Sequence, residues 1–313
     1  MKDSMIDRYG RRMRKLRVSL LDACNFRCTY CMPASATFSK LHDLLSPDEI
    51  GVIVSNLAKL GIEEVRLTGG EPTLRAELVE IVERLSEIPL KRLGLTTNGS
   101  ELEKFIPGLK KTRLESINVS LDSLDTDLFK RLARYDGLAK VISSIDRSIE
   151  AGFKVKINTV LMKQNMHELP AFIKFARERG IEIRFLELMK IGVAIDFFDQ
   201  EFVPVGYLIH ELRKLHKIKE VPVPHDSTAF KYQLDNGVMT GFIASETIPF
   251  CGSCSRLRLD SKGALRSCLM KENKINLRGQ SLEDYPEIIA EVLKHKPYER
   301  VEKVNQPMYQ IGG

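Results

Sequence analysis

The sequence contains no tryptophan, and aromatic residues fill only 7% of its 313 positions. A surface that stacks nucleic-acid bases needs more rings than this, so no nucleic-acid partner is expected. No apolar run approaches the ~18 residues that a membrane helix requires, so no membrane partner is expected either. The opening residues, Met1-Lys2-Asp3-Ser4-Met5-Ile6-Asp7-Arg8, lack the apolar stretch of a secretory leader. A cytoplasmic location is therefore the expectation. Internal repeats and low-complexity segments are absent. Spare cysteines are absent too, because all six fall into two groups of three.

What is present is ordinary globular composition, with 43% hydrophobic and 29% charged residues. Such a chain buries a sizeable core without covalent staples. The net charge of +6 suits an anionic ligand. The basic stretch from Arg8 to Arg17 is expected to be a solvated terminal segment, with phosphate contact as the alternative.

The cysteines carry the sharpest signal. Cys24, Cys28 and Cys31 form C-x3-C-x2-C, and Cys251, Cys254 and Cys268 form C-x2-C-x13-C. Disulfides do not suit a large cytosolic chain. Structural zinc needs four protein ligands, and neither group has a neighbouring histidine or fourth cysteine. Three thiolates on a cubane iron–sulfur cluster leave one iron open to a substrate. Two such clusters are the expectation; a single six-cysteine metal site, or two zincs completed by distant histidines, is the alternative.

Between residues 17 and 190 apolar strands alternate with amphipathic helices. Strands are expected at 16–21, 64–68, 92–96, 116–120, 154–161 and 181–187. Helices are expected at 47–60, 75–86, 101–105, 126–133, 138–151 and 166–178. Ser46-Pro47-Asp48-Glu49 supplies an N-cap and an acidic first turn. Six β–α units imply a parallel sheet, here an incomplete (βα)6 TIM-like barrel with ligands at the C-terminal strand ends. After residue 190 the pattern changes. A helix is expected at 205–215, a hairpin around Asp235-Asn236-Gly237, paired strands at 257–260 and 263–267, and a helix at 281–294. The chain thus divides into a partial barrel, 1–190, and an extension, 191–313, whose small antiparallel sheet closes the barrel.

Cys24-Asn25-Phe26-Arg27-Cys28-Thr29-Tyr30-Cys31 resembles the defining motif of the radical S-adenosylmethionine (SAM) superfamily. Thr68-Gly69-Gly70-Glu71-Pro72 follows a strand, where that superfamily places its SAM-binding glycines. The resemblance narrows, nearly end to end, to the GTP 3′,8-cyclase family of molybdenum-cofactor biosynthesis. It runs through Gly94-Leu95-Thr96-Thr97-Asn98-Gly99, Ile117-Asn118-Val119-Ser120-Leu121-Asp122, Ile181-Glu182-Ile183-Arg184-Phe185, Phe250-Cys251-Gly252-Ser253-Cys254 and a terminal Gly312-Gly313. One departure stands beside the first cysteine, where Leu21-Asp22-Ala23 replaces the family's Thr-Asp-Arg.

The resemblance implies two [4Fe–4S] clusters, on Cys24, Cys28 and Cys31 and on Cys251, Cys254 and Cys268. It implies SAM contacts at Tyr30, Gly70, Ser120 and Met189. It places GTP at Arg17, Arg66, Thr96, Lys156, Arg184, Arg256 and Arg258. Catalytic roles would fall to Arg256, Arg258, Gly312 and Gly313. The implied reaction takes the C3′ hydrogen of GTP with a 5′-deoxyadenosyl radical and joins C3′ to C8. An external electron donor and a cyclic pyranopterin monophosphate synthase acting on the product are the implied partners; a homodimer is allowed. Taken singly, each barrel arginine would instead pair with Glu71, Glu187 or Asp122. Another radical SAM enzyme with an auxiliary cluster, or an iron–sulfur electron-transfer or binding protein, remains the alternative.

Overall fold

In the computed structural model, residues 2–312 are described. The strands are β1 (Lys15–Ser19), β2 (Glu64–Thr68), β3 (Arg92–Thr97), β4 (Ser116–Ser120), β5 (Lys154–Leu161) and β6 (Glu182–Glu187). The second half adds β7 (Ile218–Val221), β8 (Phe230–Leu234), β9 (Met239–Ile243), β10 (Arg256–Leu259), β11 (Ala264–Arg266) and β12 (Lys274–Asn276). All join one sheet in the order β12-β11-β10-β1-β2-β3-β4-β5-β6-β9-β8-β7.

This order refines the expected closure. β10 pairs in parallel with β1, and β9 pairs in parallel with β6. The six-stranded barrel segment is thereby extended at both edges. The antiparallel strands of the extension are continuous with this sheet rather than a separate one: β7 and β8 lie beyond β9, and β11 and β12 beyond β10. Both edges of the parallel segment are covered, so it offers no open edge for pairing with another chain.

The side-chain alternation explains the shape. On the outer face Leu16, Val18, Val65, Leu67, Leu93, Leu95, Ile117, Val119, Ile157, Ile183 and Phe185 are buried beneath helices. The alternate positions carry Arg17, Arg66, Thr96, Asn118, Lys156, Asn158 and Arg184, which face the lumen. Parallel strands normally bury apolar residues on both faces. Charged residues on the inner face require a wet, ligand-sized interior instead.

Helix Pro47–Leu60 illustrates how the outer layer is specified. Ser46 and Glu49 form a reciprocal capping box, Pro47 opens the helix, and Gly61 ends it. Its buried stripe is Ile50, Ile53, Val54, Leu57 and Leu60. Several expected helix starts were early: the 3-10 turns Leu102–Phe105 and Met166–Glu168 precede the α-helices that begin at Ile106 and Leu169. The chain near residue 75 first makes a short 3-10 turn, Pro72–Leu74, and the α-helix begins at Leu78. The C-terminal helix begins at Tyr285, where Pro286 fits its first turn.

The basic segment 8–17 is mostly tied down rather than solvated. Arg11 is buried against Asp7, and its guanidinium also donates to the carbonyls of Cys251 and Pro297. Arg14 and Lys15 pair with Asp226 at 2.7 and 3.0 Å. These links tie the N-terminal segment to the second half of the chain.

The loop carrying the first three cysteines is wedged beneath the turn after β2. Gly70 N–H donates to Leu21 O at 2.8 Å, and Glu71 N–H donates to Ala23 O at 2.8 Å. A Cβ on Gly70 would lie 2.2 Å from Ala23 O, a backbone atom that cannot swing aside. Gly70→Ala is therefore expected to destabilise the apoprotein by about 2–4 kcal/mol, read from the denaturation midpoint in urea. An unchanged midpoint would show that the loop moves freely.

Candidate functional site

Two cavities run into one another through the barrel. The upper one lies at the C-terminal strand ends, encloses about 240 Å³ and is bounded by Cys24, Cys28, Cys31, Tyr30, Gly70, Ser120 and Asp122. The basal one encloses about 500 Å³ and is bounded by Lys15, Arg17, Arg66, Lys156, Arg184, Lys231 and Arg256. Arg17, Asn118, Arg184 and Thr228 bound both.

The first cysteine loop is braced by neutral donors. Cys24 Sγ accepts from Phe26 N–H at 3.4 Å and Asn98 Nδ2 at 3.8 Å. Phe26 stacks on Tyr135 and meets Phe129 edge-on. Tyr30 donates its hydroxyl to Asp122 at 2.7 Å, and Val160 N–H donates to the same carboxylate at 2.8 Å. Burial raises the Cys24 thiol to about 11, with Glu71 adding to it. Burial likewise pushes Cys31 to about 12, reinforced by Cys24 and Asp122. Burial lifts Asp122 to about 6 against the pull of its two hydrogen bonds.

The three carboxylates open to the barrel arginines are otherwise engaged, which corrects the pairing expected for single residues. Glu71 accepts from Thr73 N–H and Oγ1, Thr97 Oγ1 and Asn98 N–H at 2.6–2.9 Å. Glu187 holds the main-chain N–H groups of Val205, Glu246 and Thr247. Asp122 is taken by Tyr30 and Val160. No ion pair to Arg17 or Arg66 occurs among the described residues. Burial lowers the Arg17 guanidinium well below its usual range, and Arg258, Arg256, Arg66 and Arg184 lower it further. Arg66 falls to about 10 through burial and Arg184; it donates to Leu95 O and Ser116 Oγ.

One carboxylate does sit among these cations, and sequence reasoning passed over it. Glu182 receives Arg184 Nε at 2.6 Å, Lys231 Nζ at 2.7 Å and Lys156 Nζ at 2.9 Å. Burial opposes its ionisation, but Arg184, Lys156 and Lys231 hold the carboxyl down at about 2. Glu182 and Arg184 are two apart on one strand, so they share a face. That spacing was the available signal. Lys231 reaches the same point from β8, a neighbour that local sequence does not reveal.

Unpartnered acceptors also mark the lumen. Thr96 Oγ1, Asn118 Oδ1 and Asn158 Oδ1 are buried without a hydrogen-bond partner. They stand on adjacent strands β3, β4 and β5, with Thr96 opposite Asn118. Buried acceptors left unmatched cost free energy and call for a donor supplied by a ligand.

The second triad flanks β10 and β11, with Cys251 and Cys254 before β10 and Cys268 after β11. Cys254 Sγ accepts from Arg256 Nη2 at 3.4 Å and Lys296 Nζ at 3.5 Å. Burial would raise this thiol, but Arg256 and Lys296 bring it down to about 6. Cys268 packs with Met189, Met270, Val304 and Ile311. Met189 packs against that same apolar cluster and is not among the residues bounding the upper cavity.

The segment 308–312 joins the two ends. Met308 and Tyr309 border the upper cavity, and the Tyr309 main chain hydrogen-bonds Cys31. Ile311 packs in the cluster around Cys268. Gly312 O accepts from Arg258 Nη1 at 2.5 Å. Gly312 has φ +80°, and a Cβ there would lie 2.7 Å from Ser19 Cβ, so the close packing requires glycine. Gly313 lies outside the described residues.

The donor set fits iron–sulfur clusters. Within each triad the thiols perturb one another electrostatically. Among the described residues no three His, Cys, Asp or Glu side chains form a single-ion site. A cubane is held differently, each thiolate taking a separate iron, so the thiols need not meet at a point. Cys254, held by two cations, suits a bound thiolate. The Ala23 departure leaves intact the main-chain oxygen that Glu71 uses.

Comparison with known proteins decides the family. The radical SAM superfamily matches residues 18–176, and the molybdenum cofactor synthesis C-terminal family matches 181–304. A GTP 3′,8-cyclase of Synechocystis sp. is 42% identical over 314 residues, covering 100% of this chain and 96% of its own. This chain belongs to the GTP 3′,8-cyclase family. A GTP 3′,8-cyclase of Aquifex aeolicus is 36% identical, covering 99% of this chain and 100% of its own. Among solved structures, Streptococcus suis SuiB bound to S-adenosylmethionine superposes with a TM-score of 0.65 at 15% identity. That match covers 88% of this chain and 67% of that one, and it supports the radical SAM fold.

The cation web gives a direct test. Glu182 competes with any polyanion for Lys156, Arg184 and Lys231. Glu182→Gln is expected to tighten binding of inorganic tripolyphosphate several-fold in calorimetric titration. Weaker binding would show that the carboxylate organises the cations more than it occupies them.

Proposed function

We propose that this chain cyclises GTP to (8S)-3′,8-cyclo-7,8-dihydroguanosine 5′-triphosphate by radical SAM chemistry, the first step of molybdenum-cofactor biosynthesis. The observation that carries this reading is a continuous lumen with the first cysteine triad at its upper end, Arg17 and Arg66 without ion-pair partners along it, and Arg256 at its base hydrogen-bonded to Cys254 of the second triad. The full-length likeness to curated GTP 3′,8-cyclases supports the same substrate.

Cys24, Cys28 and Cys31 would hold the first [4Fe–4S] cluster, and Cys251, Cys254 and Cys268 the second. With SAM bound there, the chemistry supplied would be one-electron reductive cleavage of the sulfonium to give a 5′-deoxyadenosyl radical. Tyr30, Gly70 and Ser120 border the upper cavity, where SAM would sit, and Met189 would approach from beyond β6. Arg17, Arg66, Lys156, Arg184 and Arg256 face the basal cavity and suit a triphosphate. Thr96 would give a neutral contact. Arg256, between the basal cavity and Cys254, would place the guanine end near the second triad. Arg258 would hold Gly312 toward the reacting ribose. That radical would take the hydrogen from C3′, C3′ would bond to C8, and one electron from the external donor with one proton would complete the product. The product is an isomer of GTP, because the hydrogen lost at C3′ is replaced at N7.

In this reading residues 1–190 form the SAM-cleaving half and residues 191–313 the GTP-orienting half. An external electron donor and a cyclic pyranopterin monophosphate synthase would be partners, in the cytoplasm, and a homodimer is compatible. Among the described residues no helix is long and apolar enough to cross a membrane.

The test is anaerobic. Reconstituted protein receives dithionite, SAM and GTP deuterated at C3′, with ATP as control. Deuterium in 5′-deoxyadenosine and a GTP isomer resolved by chromatography are expected. Deoxyadenosine without that isomer would transfer the chemistry to another substrate. Cys268→Ala is expected to retain SAM cleavage and lose cyclisation; normal product from it would remove the second triad from the reaction.

A further inference from the structure

Lys296 follows the helix Tyr285–Lys294 and is only 1% exposed. Its ammonium donates to Arg256 O at 2.7 Å, Ser267 O at 2.8 Å and Cys254 Sγ at 3.5 Å. An ammonium has three N–H donors, so these acceptors account for all of them. Among the described residues no carboxylate pairs with it. A buried ammonium needs a negative partner. The sulfur of Cys254, a thiolate once it ligates a cluster, is the partner within reach, and it also receives Arg256 Nη2 at 3.4 Å.

The first triad is surrounded differently. Cys24 takes one main-chain N–H and one neutral amide. The nearby cation, Arg27, is turned onto the carbonyl oxygens of Cys24 and Phe26 instead of a sulfur. Glu71 adds a negative field at Cys24. Hydrogen bonds to cluster sulfurs and nearby positive charge both favour the reduced, more negative state.

We propose that Lys296 is a positioning residue that fixes Cys254 and raises the reduction potential of the second cluster. The two carbonyls clamp the ammonium, so its third N–H is held on the sulfur whether or not substrate is present. The cluster on Cys251, Cys254 and Cys268 is then the more easily reduced of the two. An electron entering the protein rests beside the basal cavity.

This inference rests on the reading that the second triad carries a cluster, and the experiment separates the two. A full-length variant with Cys24→Ala, Cys28→Ala and Cys31→Ala leaves the second site as the sole reporter. It is reconstituted with iron and sulfide, its iron counted, and its reduction followed by electron paramagnetic resonance against applied potential. Lys296→Gln in this background is expected to keep the iron content and shift the midpoint to a more negative value; Lys296→Arg is expected to restore much of the shift. An unchanged midpoint overturns the role of Lys296. No cluster in the parent variant overturns the underlying reading as well. Because replacing a buried lysine risks misfolding, a second measurement uses the same parent with Lys296 intact and ¹⁵N-lysine. Pulsed resonance of the reduced cluster is expected to show a ¹⁵N coupling, and its absence overturns the proposal.

Discussion

The inner face of the parallel sheet carries like charges that the protein neutralises only in part: Glu182 holds Arg184, Lys156 and Lys231, while Arg17 and Arg66 have no ion pair among the described residues. Burial lowers the basicity of Arg17, Arg66 and Arg258, and neighbouring arginines, Arg184 and Arg256 among them, lower it further. Two like charges at about 4 Å repel by about 4 kcal/mol at the effective dielectric of a protein surface. Such a lumen cannot collapse into a dry core. The outer face must therefore supply the apolar burial, and its Leu, Ile and Val positions lie under helices. The barrel is a container whose walls are stabilised from outside and whose contents are specified by charge from inside. An anion that fills it relieves the repulsion and thereby stabilises the folded chain by mass action.

The second half of the chain completes that container. β9 and β10 continue the parallel sheet at opposite edges, so the two ends of the extension reach both sides of one lumen. The segment 308–312 then crosses between the sites, with Tyr309 at Cys31 and Gly312 on Arg258. The buried Arg11–Asp7 pair adds another link, because Arg11 also holds the carbonyl of Cys251.

Much of this was legible in the sequence because the signals are local. The alternation at β1 to β6, the caps of helix 47–60 and the two cysteine spacings are each read within a short window. The parallel pairing of β9 with β6 and β10 with β1 was not legible, because it depends on partners far away in the chain. The same limit hid Lys296. A lysine in Lys294-His295-Lys296-Pro297 reads as a solvated charge, and only the fold brings it under Cys254 and Ser267. Glu182 was visible as a residue, but its role depends on Lys231 arriving from β8. The resemblance implied Gly70 as a SAM contact; the structure adds that the glycine is required by the cysteine loop itself.

Glu182 shows how a binding site of one sign is kept in order before its ligand arrives. Without a counter-charge, Lys156, Arg184 and Lys231 would turn toward solvent, and closing on an anion would require ordering long side chains at a cost of about 0.5–1.5 kcal/mol each. A single carboxylate among them fixes their geometry in advance. It also lowers the field that draws the anion in. The balance depends on charge number, because one carboxylate cancels one cation while Arg17, Arg66 and Arg256 still face the same cavity. A polyanion with several charges wins that competition, whereas a monoanion gains little over Glu182. The arrangement therefore selects for phosphate chains by charge number, before any contact to a base or sugar is made.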